Sequence, residues 1–456
     1  MSEKGLLASQ EKMRTANVSE TAVKVFTHYY HQLEAGVTGM IPEETIEPLL
    51  EVPQLADQQV SEETAKAALG KTAFIKLNGG LGTSMGMTKA KSLLKVRGED
   101  TFLDLICKQI RSARAETGAQ IPLIFMNSFN TETDTLEALK AHPDIEIPSL
   151  PLSFLQNQEP KLTADTLEPV SYPENPALEW CPPGHGDIYT ALLASGILQA
   201  LLESGYRYMM TSNSDNLGAT PDARIAGWFA TSGLPYAAEL CVRTINDRKG
   251  GHLAIRKTDG QLILRDTAQT PPEQMEYFTD EHRHPFFHTN NLWFDLQVLY
   301  DTLVAKDAVL GLPLIANEKT VDPKDSSTEK VIQMETSMGS AIASFPGAGA
   351  IAVERSRFLP VKTTNELLLV RSDLYELHDN GHLEPVAPKT PEIKLSSEHY
   401  KKITDFEARF PEGIPSLRQV ESLNIEGDWT LSKTAELRGA VTLPKTDGAK
   451  RYPQDA

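Results

Sequence analysis

Residues 76–92 read KLNGGLGTSMGMTKAKS. The glycines at 79, 80, 82 and 86 let backbone N–H groups close around an anion without Cβ clashes. Lys89 and Lys91 then supply compact positive charges of the kind that meet phosphate. Two familiar anion-binding templates do not fit. The fingerprint G-x-G-x-x-G finds its first two glycines in Gly80 and Gly82, but Met85 takes the last place. Walker A needs glycine directly before Lys-Ser, and Ala90 precedes Lys91-Ser92. Two readings remain: a loop that only turns the chain, and a phosphate cradle supported by the lysines that follow. Two further clusters carry usable chemistry. SNSDN (212–216) offers Asp215, a carboxylate suited to a hard divalent cation. PPGHGD (182–187) sets His185 between two glycines behind a stiff Pro-Pro pair.

These clusters need elements to carry them. TAFIKL, ending in Asn78-Gly79-Gly80, reads as a buried strand and then a loop; IPLIFMNS and YRYMMTSNSDN read the same way. TFLDLICKQIRSARAETGA reads as a helix with a Thr101/Asp104 capping box and a Gly118 stop, and DIYTALLASGILQALLESG as one long apolar helix. Alternating strands and helices predict an α/β fold with a mostly parallel sheet, whose ligands gather at the carboxyl ends of strands. The glycine loop and SNSDN both fall at such ends. Residues 1–70 read as an N-terminal helical segment, with Ser19 as an N-cap and Gly36 as a stop. Residues 71–378 read as the central domain and 379–456 as a Pro-rich linker followed by a small β unit.

Composition narrows the functional classes. The 456-residue chain carries a net charge of −18, which repels nucleic acid and anionic lipid. Three scattered cysteines give neither a disulfide frame nor a zinc pattern, and no apolar run reaches the length of a membrane span. A cytoplasmic protein of small-molecule chemistry is expected. No Ser-His-Asp or Cys-His apparatus is evident.

The glycine segment does not stand alone. PPGHGD, SNSDNLGA (212–219), HTNNLW (288–293), NEKTVDP (317–323), QMETSMGSAI (333–342) and RSRFLPVKTTNELLLVRSDLY (355–375) follow it in order. Together they resemble the UDP-glucose pyrophosphorylases of the eukaryotic type, the UTP–glucose-1-phosphate uridylyltransferase family. The resemblance implies a GT-A-like, Rossmann-type core with a left-handed β-helix-like tail. It implies condensation of UTP with glucose 1-phosphate, by direct in-line attack on the α-phosphorus with Mg2+, to give UDP-glucose and pyrophosphate.

By the same resemblance Leu77, Gly79, Gly80, Gly82, Gln156, His185 and Gly186 hold the nucleotide. Lys91 lies on the triphosphate, and Asp215 serves nucleotide and Mg2+. Asn213, Gly250, Gly251, Asn290 and Lys319 serve the sugar phosphate, and Lys362 reaches the phosphates of both substrates. Lys91 and Lys362 are the expected catalytic pair. His185 is expected to anchor rather than to act as a base, because a sugar phosphate is already ionised near neutral pH. The chain departs from the family pattern at Lys89-Ala90, where Gly-Pro is common, and at His288, where Asn is usual. Two alternatives stand beside this reading. One is a preference for another sugar 1-phosphate, of galactose or N-acetylglucosamine; the other is a silent UDP-sugar-binding protein, against which Lys91, Asp215 and Lys362 together speak. The β tail offers a surface for a homo-oligomer.

Overall fold

The apolar run after Lys71 forms strand β1 (Thr72–Asn78), buried at every position but Leu77. The structure, a computed structural model, describes residues 2–453 other than 245, 246, 248, 249 and 388. Around β1 lie β2 (Leu123–Asn127), β3 (Ser153–Leu155), β4 (Tyr208–Asn213), β5 (Tyr236–Val242), β6 (Phe286–Asp295) and β7 (Gly349–Ala352). They form one sheet in the order β7-β5-β6-β4-β1-β2-β3. Only β6 runs against its neighbours, so the expected mostly parallel sheet is present with one reversed strand. The carboxyl ends of β1, β2, β3 and β4 therefore open on one edge. The reversed β6 brings His288–Asn291 to that same edge, because Thr211 pairs with Leu292.

Alternate side chains of each strand enter opposite layers. Phe74 joins Trp293, Phe229 and the helix Phe102–Thr117 in one core, and Ile75 joins Phe294, Tyr189 and the helix Glu20–Glu34 in the other. Each such large apolar side chain contributes roughly 1.5–3 kcal/mol on burial. The first core runs without a break into the tail through Leu423, Ile425 and Trp429. Local signals hold at the helix ends. Ser19 caps Glu20–Glu34, Thr101 and Asp104 form the capping box, and Gly118 takes the left-handed cap at φ 69°.

Three expectations are corrected. The long helix after Asp187 is two, Ile188–Ala194 and Ile197–Glu203, because Gly196 at φ 76° turns the chain between them. The N-terminal segment is not helical throughout: Ile46–Pro48 pairs with Gly251–Arg256 as an edge strand. The Pro-rich stretch contains ordered strands rather than a plain linker, with Tyr375–Leu377 and Leu383–Pro385 in a hairpin and Glu392–Leu395 parallel to Val420–Ile425. Further parallel pairs, Val420–Ile425 with Gly439–Leu443 and Trp429–Leu431 with Lys450–Tyr452, build the β tail. Among the described residues no helix is long and apolar enough to cross a membrane.

Candidate active site

Beyond β1 the chain makes a tight double bend. Gly82 (φ 63°) and Gly86 (φ 72°) flank a single turn, Thr83–Met85, and both need the left-handed backbone that glycine adopts freely. A Cβ at Gly79 would lie 3.0 Å from Nε2 of Gln156, so the Gln156 amide packs against the loop. Gln156 sits just past β3, its N–H donating to the Asn127 carbonyl at 2.8 Å. Gly80 is exposed, with open space where a side chain would be. At the departure from the family pattern, Ala90 holds φ −51° and ψ 131°, close to the range of proline, so the path of the turn is kept.

The loop returns to the sheet through Lys91. Its N–H donates to the Gly80 carbonyl at 3.0 Å, and its Nζ donates to Oδ2 of Asp215 at 2.6 Å. Both side chains are 15% exposed, so the pair is mostly withdrawn from solvent. The other carboxylate oxygen, Oδ1 of Asp215, is buried and has no partner among the described residues. The Asp215 carbonyl accepts from Val361 N–H at 3.2 Å, and Asn216 Oδ1 accepts from Leu359 N–H at 2.8 Å. These two bonds set Lys362, which is exposed, beside the Lys91–Asp215 pair. Gly80, Gly82, Lys91, Asp215 and Lys362 therefore form one contiguous group.

His185 lies within electrostatic reach of Lys362. Its Nδ1 accepts from Met338 N–H at 3.0 Å, which assigns the ring proton to Nε2. Crowding by protein, then the nearby charge of Lys362, push its pKa down to about 4, although the residue is exposed and solvent tempers the drop. With Nδ1 taken up by Met338 N–H, the free nitrogen of the neutral ring is Nε2–H, a donor. Gly184 and Gly186 make room for the backbone of Thr336: a Cβ on Gly184 would lie 2.7 Å from the Thr336 carbonyl oxygen, and Gly186 N–H donates to that oxygen at 2.8 Å.

At the last residue of β4, Asn213 Oδ1 accepts from Nδ2 of Asn290 at 2.8 Å. Asn290 has a left-handed backbone, φ 64°, inside a strand. Its cause is a bulge: between the pairs Ala238–Leu292 and Leu240–His288, Glu239 alone faces Thr289, Asn290 and Asn291. Gly250 and Gly251 lie alongside. A Cβ on Gly250 (φ 135°) would meet Phe287 at 2.5 Å, and one on Gly251 would meet Leu264 at 2.7 Å. Lys319 stands further off, exposed, with Glu335 as its nearest carboxylate at 3.8 Å.

Several residues that shape the site carry no sequence motif of their own. Glu239 is fully buried and accepts from Arg357 Nε (2.7 Å) and Nη2 (2.8 Å), Trp293 Nε1 (2.9 Å) and Asn291 Nδ2 (3.0 Å). Lys76, first residue of the glycine segment, is buried beneath it, donating to Ser212 Oγ (2.8 Å) and the Ala219 carbonyl (2.9 Å). Burial, then repulsion from Arg357, push its pKa down to about 7. Lys402 from the tail lies against the loop, its Cγ 3.1 Å from where a Gly86 Cβ would be. An acid within an apolar strand is the one signal that marks Glu239; nothing in the sequence marks Lys402.

Comparison with known proteins gives a consistent result. A family model described as UTP–glucose-1-phosphate uridylyltransferase matches residues 23–438. The Saccharomyces cerevisiae protein of that name is 41% identical over 385 residues, 84% of this chain and 75% of its own length. The Solanum tuberosum protein of that name is 40% identical over 418 residues, 90% of this chain and 83% of its own length. Among solved structures, a mutant UDP-glucose pyrophosphorylase of Leishmania major in complex with UDP-glucose superposes with a TM-score of 0.93 at 41% identity, covering 99% of this chain and 97% of that one. A structure from Trypanosoma brucei titled UDP-glucose phosphorylase gives 0.90 at 39% identity, with 98% of each chain covered.

Proposed function

Because the chain belongs to the UTP–glucose-1-phosphate uridylyltransferase family, we infer that it joins UTP and glucose 1-phosphate into UDP-glucose and pyrophosphate. The observation that carries the assignment of its residues is the Lys91–Asp215 pair, set between the glycine loop and Lys362. Two anions must be brought together, and the step asks for alignment and charge neutralisation rather than covalent work. The open backbone at Gly80 receives the triphosphate, and Lys91 meets it. Gln156, pressed against Gly79, offers an amide to the uracil edge, where donor and acceptors alternate. His185 and Gly186 anchor the nucleotide, with Nε2–H as the donor. Asn213, Asn290 and the Gly250-Gly251 backbone face the sugar phosphate; Lys362 bridges both substrates, and Lys319 guards the outer edge. The sugar phosphate oxygen then attacks the α-phosphorus in line.

Asp215 fits a magnesium ion held mainly by substrate phosphates and water, since it presents one buried, unpartnered carboxylate oxygen. Among the described residues no group of three acidic, His or Cys side chains forms a cage. When bound, Mg2+ supplies neutralisation of phosphate charge. Asp215→Asn keeps a partner for Lys91 and removes the charge. It is expected to lower kcat/KM roughly a hundredfold and to raise the Mg2+ concentration needed for half-maximal rate. An unaltered Mg2+ titration would remove Asp215 from the metal site.

The test of the whole reading is pyrophosphate release on mixing the protein with UTP, glucose 1-phosphate and Mg2+. Binding of UDP-glucose without release would favour a silent binder, and faster release with galactose 1-phosphate or N-acetylglucosamine 1-phosphate would move the substrate. At finer grain, the parallel sheet with Asp215 past β4 supports a GT-A-like core, and the short parallel pairs of the tail support a left-handed β-helix. That tail is the proposed surface for self-association. The net charge of −18 supports a cytoplasmic enzyme without nucleic-acid or membrane partners.

A further inference from the structure

We propose that His288 is a positioning residue for sugar recognition: it locks Asn290 in its left-handed backbone, and thereby the Asn290–Asn213 pair that faces the sugar phosphate. The inference rests on the reading of Asn213 and Asn290 given above. A left-handed backbone at a residue other than glycine persists only where its surroundings hold it. Two contacts hold Asn290. Its Nδ2 donates to Asn213 Oδ1, and its own backbone N–H donates to Nδ1 of His288, two residues back, at 3.2 Å. The second contact has the form of an Asx turn with an imidazole nitrogen in place of the carboxamide oxygen. It closes the bulge locally, while Glu239 secures the outer side through the Asn291 amide and a bond from Thr289 Oγ1 to its own carbonyl at 2.7 Å.

The ring has little freedom to leave. His288 is 5% exposed, and a Cβ at Gly339 would lie 2.8 Å from its Cε1, so only a glycine there lets the ring sit where it does. The same Cβ would lie 2.8 Å from Leu264, the side chain that packs on Gly251. His288 is thus wedged beneath the sugar-side glycines, close to His185. Since Nδ1 accepts, Nε2 carries the proton, and that nitrogen is buried with no partner among the described residues. The far side of the ring makes no hydrogen bond, so what the ring contributes is the acceptor at Nδ1.

Side chains that separate acceptor from volume test this. His288→Leu keeps bulk and removes the acceptor. His288→Asn removes bulk and returns an acceptor able to take the N–H two residues on. Leucine is expected to raise KM for glucose 1-phosphate about tenfold, the worth of one neutral hydrogen bond, with KM for UTP within about twofold of the parent. Asparagine is expected to restore KM to within about threefold of the parent, despite the lost ring. Affinity for UDP-glucose should fall with leucine while affinity for UDP holds. Leucine equal to the parent, asparagine as poor as leucine, or an equal loss for UTP and UDP would each overturn the proposal. Melting midpoints are recorded alongside; a lower midpoint in the leucine variant with unaltered substrate constants would assign His288 to packing and overturn it too. The parent is assayed in the same series. Absence of pyrophosphate release there would speak against the functional reading, whereas the contrast between UDP-glucose and UDP binding speaks to His288 alone.

Discussion

Lys362→Ala is expected to lower kcat by roughly two to three orders of magnitude while leaving the fold intact. The side chain is exposed, and among the described residues no hydrogen bond or ion pair holds its ammonium. Its backbone, by contrast, is fixed on both sides. Val361 N–H is bonded to the Asp215 carbonyl, and Thr363 opens the helix Thr364–Arg371 with a capping box in which Glu366 accepts from Thr363 N–H at 2.6 Å. An uncommitted cation on a rigid base is the arrangement that stabilises charge developing in a reaction without prior rearrangement. Its charge is felt nearby: after burial, Lys362 lowers the pKa of His185, and it counteracts the burial that raises that of Asp266. Removal should act on turnover at saturating substrates more than on KM, since the charge it meets is greatest in the transition state. The melting midpoint should stay within a degree or two, because no packing is lost. Steady-state kinetics equal to the parent would dismiss Lys362 from the reaction. Lys362→Arg should recover only part of the rate, because a planar fork does not replace a compact ammonium.

Much of this was legible in the chain. β1, β2 and β4 appear as short apolar runs bounded by polar and glycine-rich stretches. The rule that ligands gather at carboxyl ends then places the glycine loop and SNSDN side by side before any coordinate is known. Helix ends with local chemistry, such as Thr101–Asp104 and Gly118, read correctly because both partners lie within four residues. The break at Gly196 escaped, since one glycine in an apolar helical pattern is often tolerated and only the packing of both halves on the sheet requires the turn.

What escaped the sequence is non-local. Asn290 is a visible polar residue, but its left-handed backbone follows from a bulge set by Glu239 on the neighbouring strand, 51 or so positions away in the chain as hydrogen bonds at separations of 50 and 52 show. Lys76 opens the glycine segment, yet its side chain is buried within the sheet and donates to Ser212 on β4. Ile46–Pro48 is too short and too rich in Glu and Pro to read as a strand, and it forms one only because Gly251–Arg256 presents an open edge. Local pattern reports propensity; these features depend on what a distant segment supplies.

Glu239→Ala should be the most damaging single change to stability. The carboxylate has zero exposure and answers four donors, two of them from the Arg357 guanidinium. Removing one partner of such a buried ion pair strands the other charge away from water. Arg357 would keep only the Thr220 carbonyl and hydroxyl and the more distant Asp222, at 4.0 Å. The expected loss is about 3–5 kcal/mol, read as a lower urea midpoint at unchanged slope. Asp222→Ala removes the outer carboxylate and also the N-cap of the helix Ala223–Ser232, so its cost should stay near ~1 kcal/mol. The two variants together separate the inner pair from the general field around Arg357. A parental midpoint in Glu239→Ala would mean that the guanidinium finds water or another acceptor, and the view of Glu239 as the anchor of the bulge would fail with it. The same variant should lose affinity for UDP-glucose beyond its loss for UDP, because on β5 Glu239 alone lies opposite Thr289, Asn290 and Asn291. Stability and sugar recognition are thus expected to fall together at Glu239 and to separate at Lys362. In the proposed reading, one buried carboxylate holds the backbone assigned to the sugar, and one exposed ammonium is assigned to the phosphates that react.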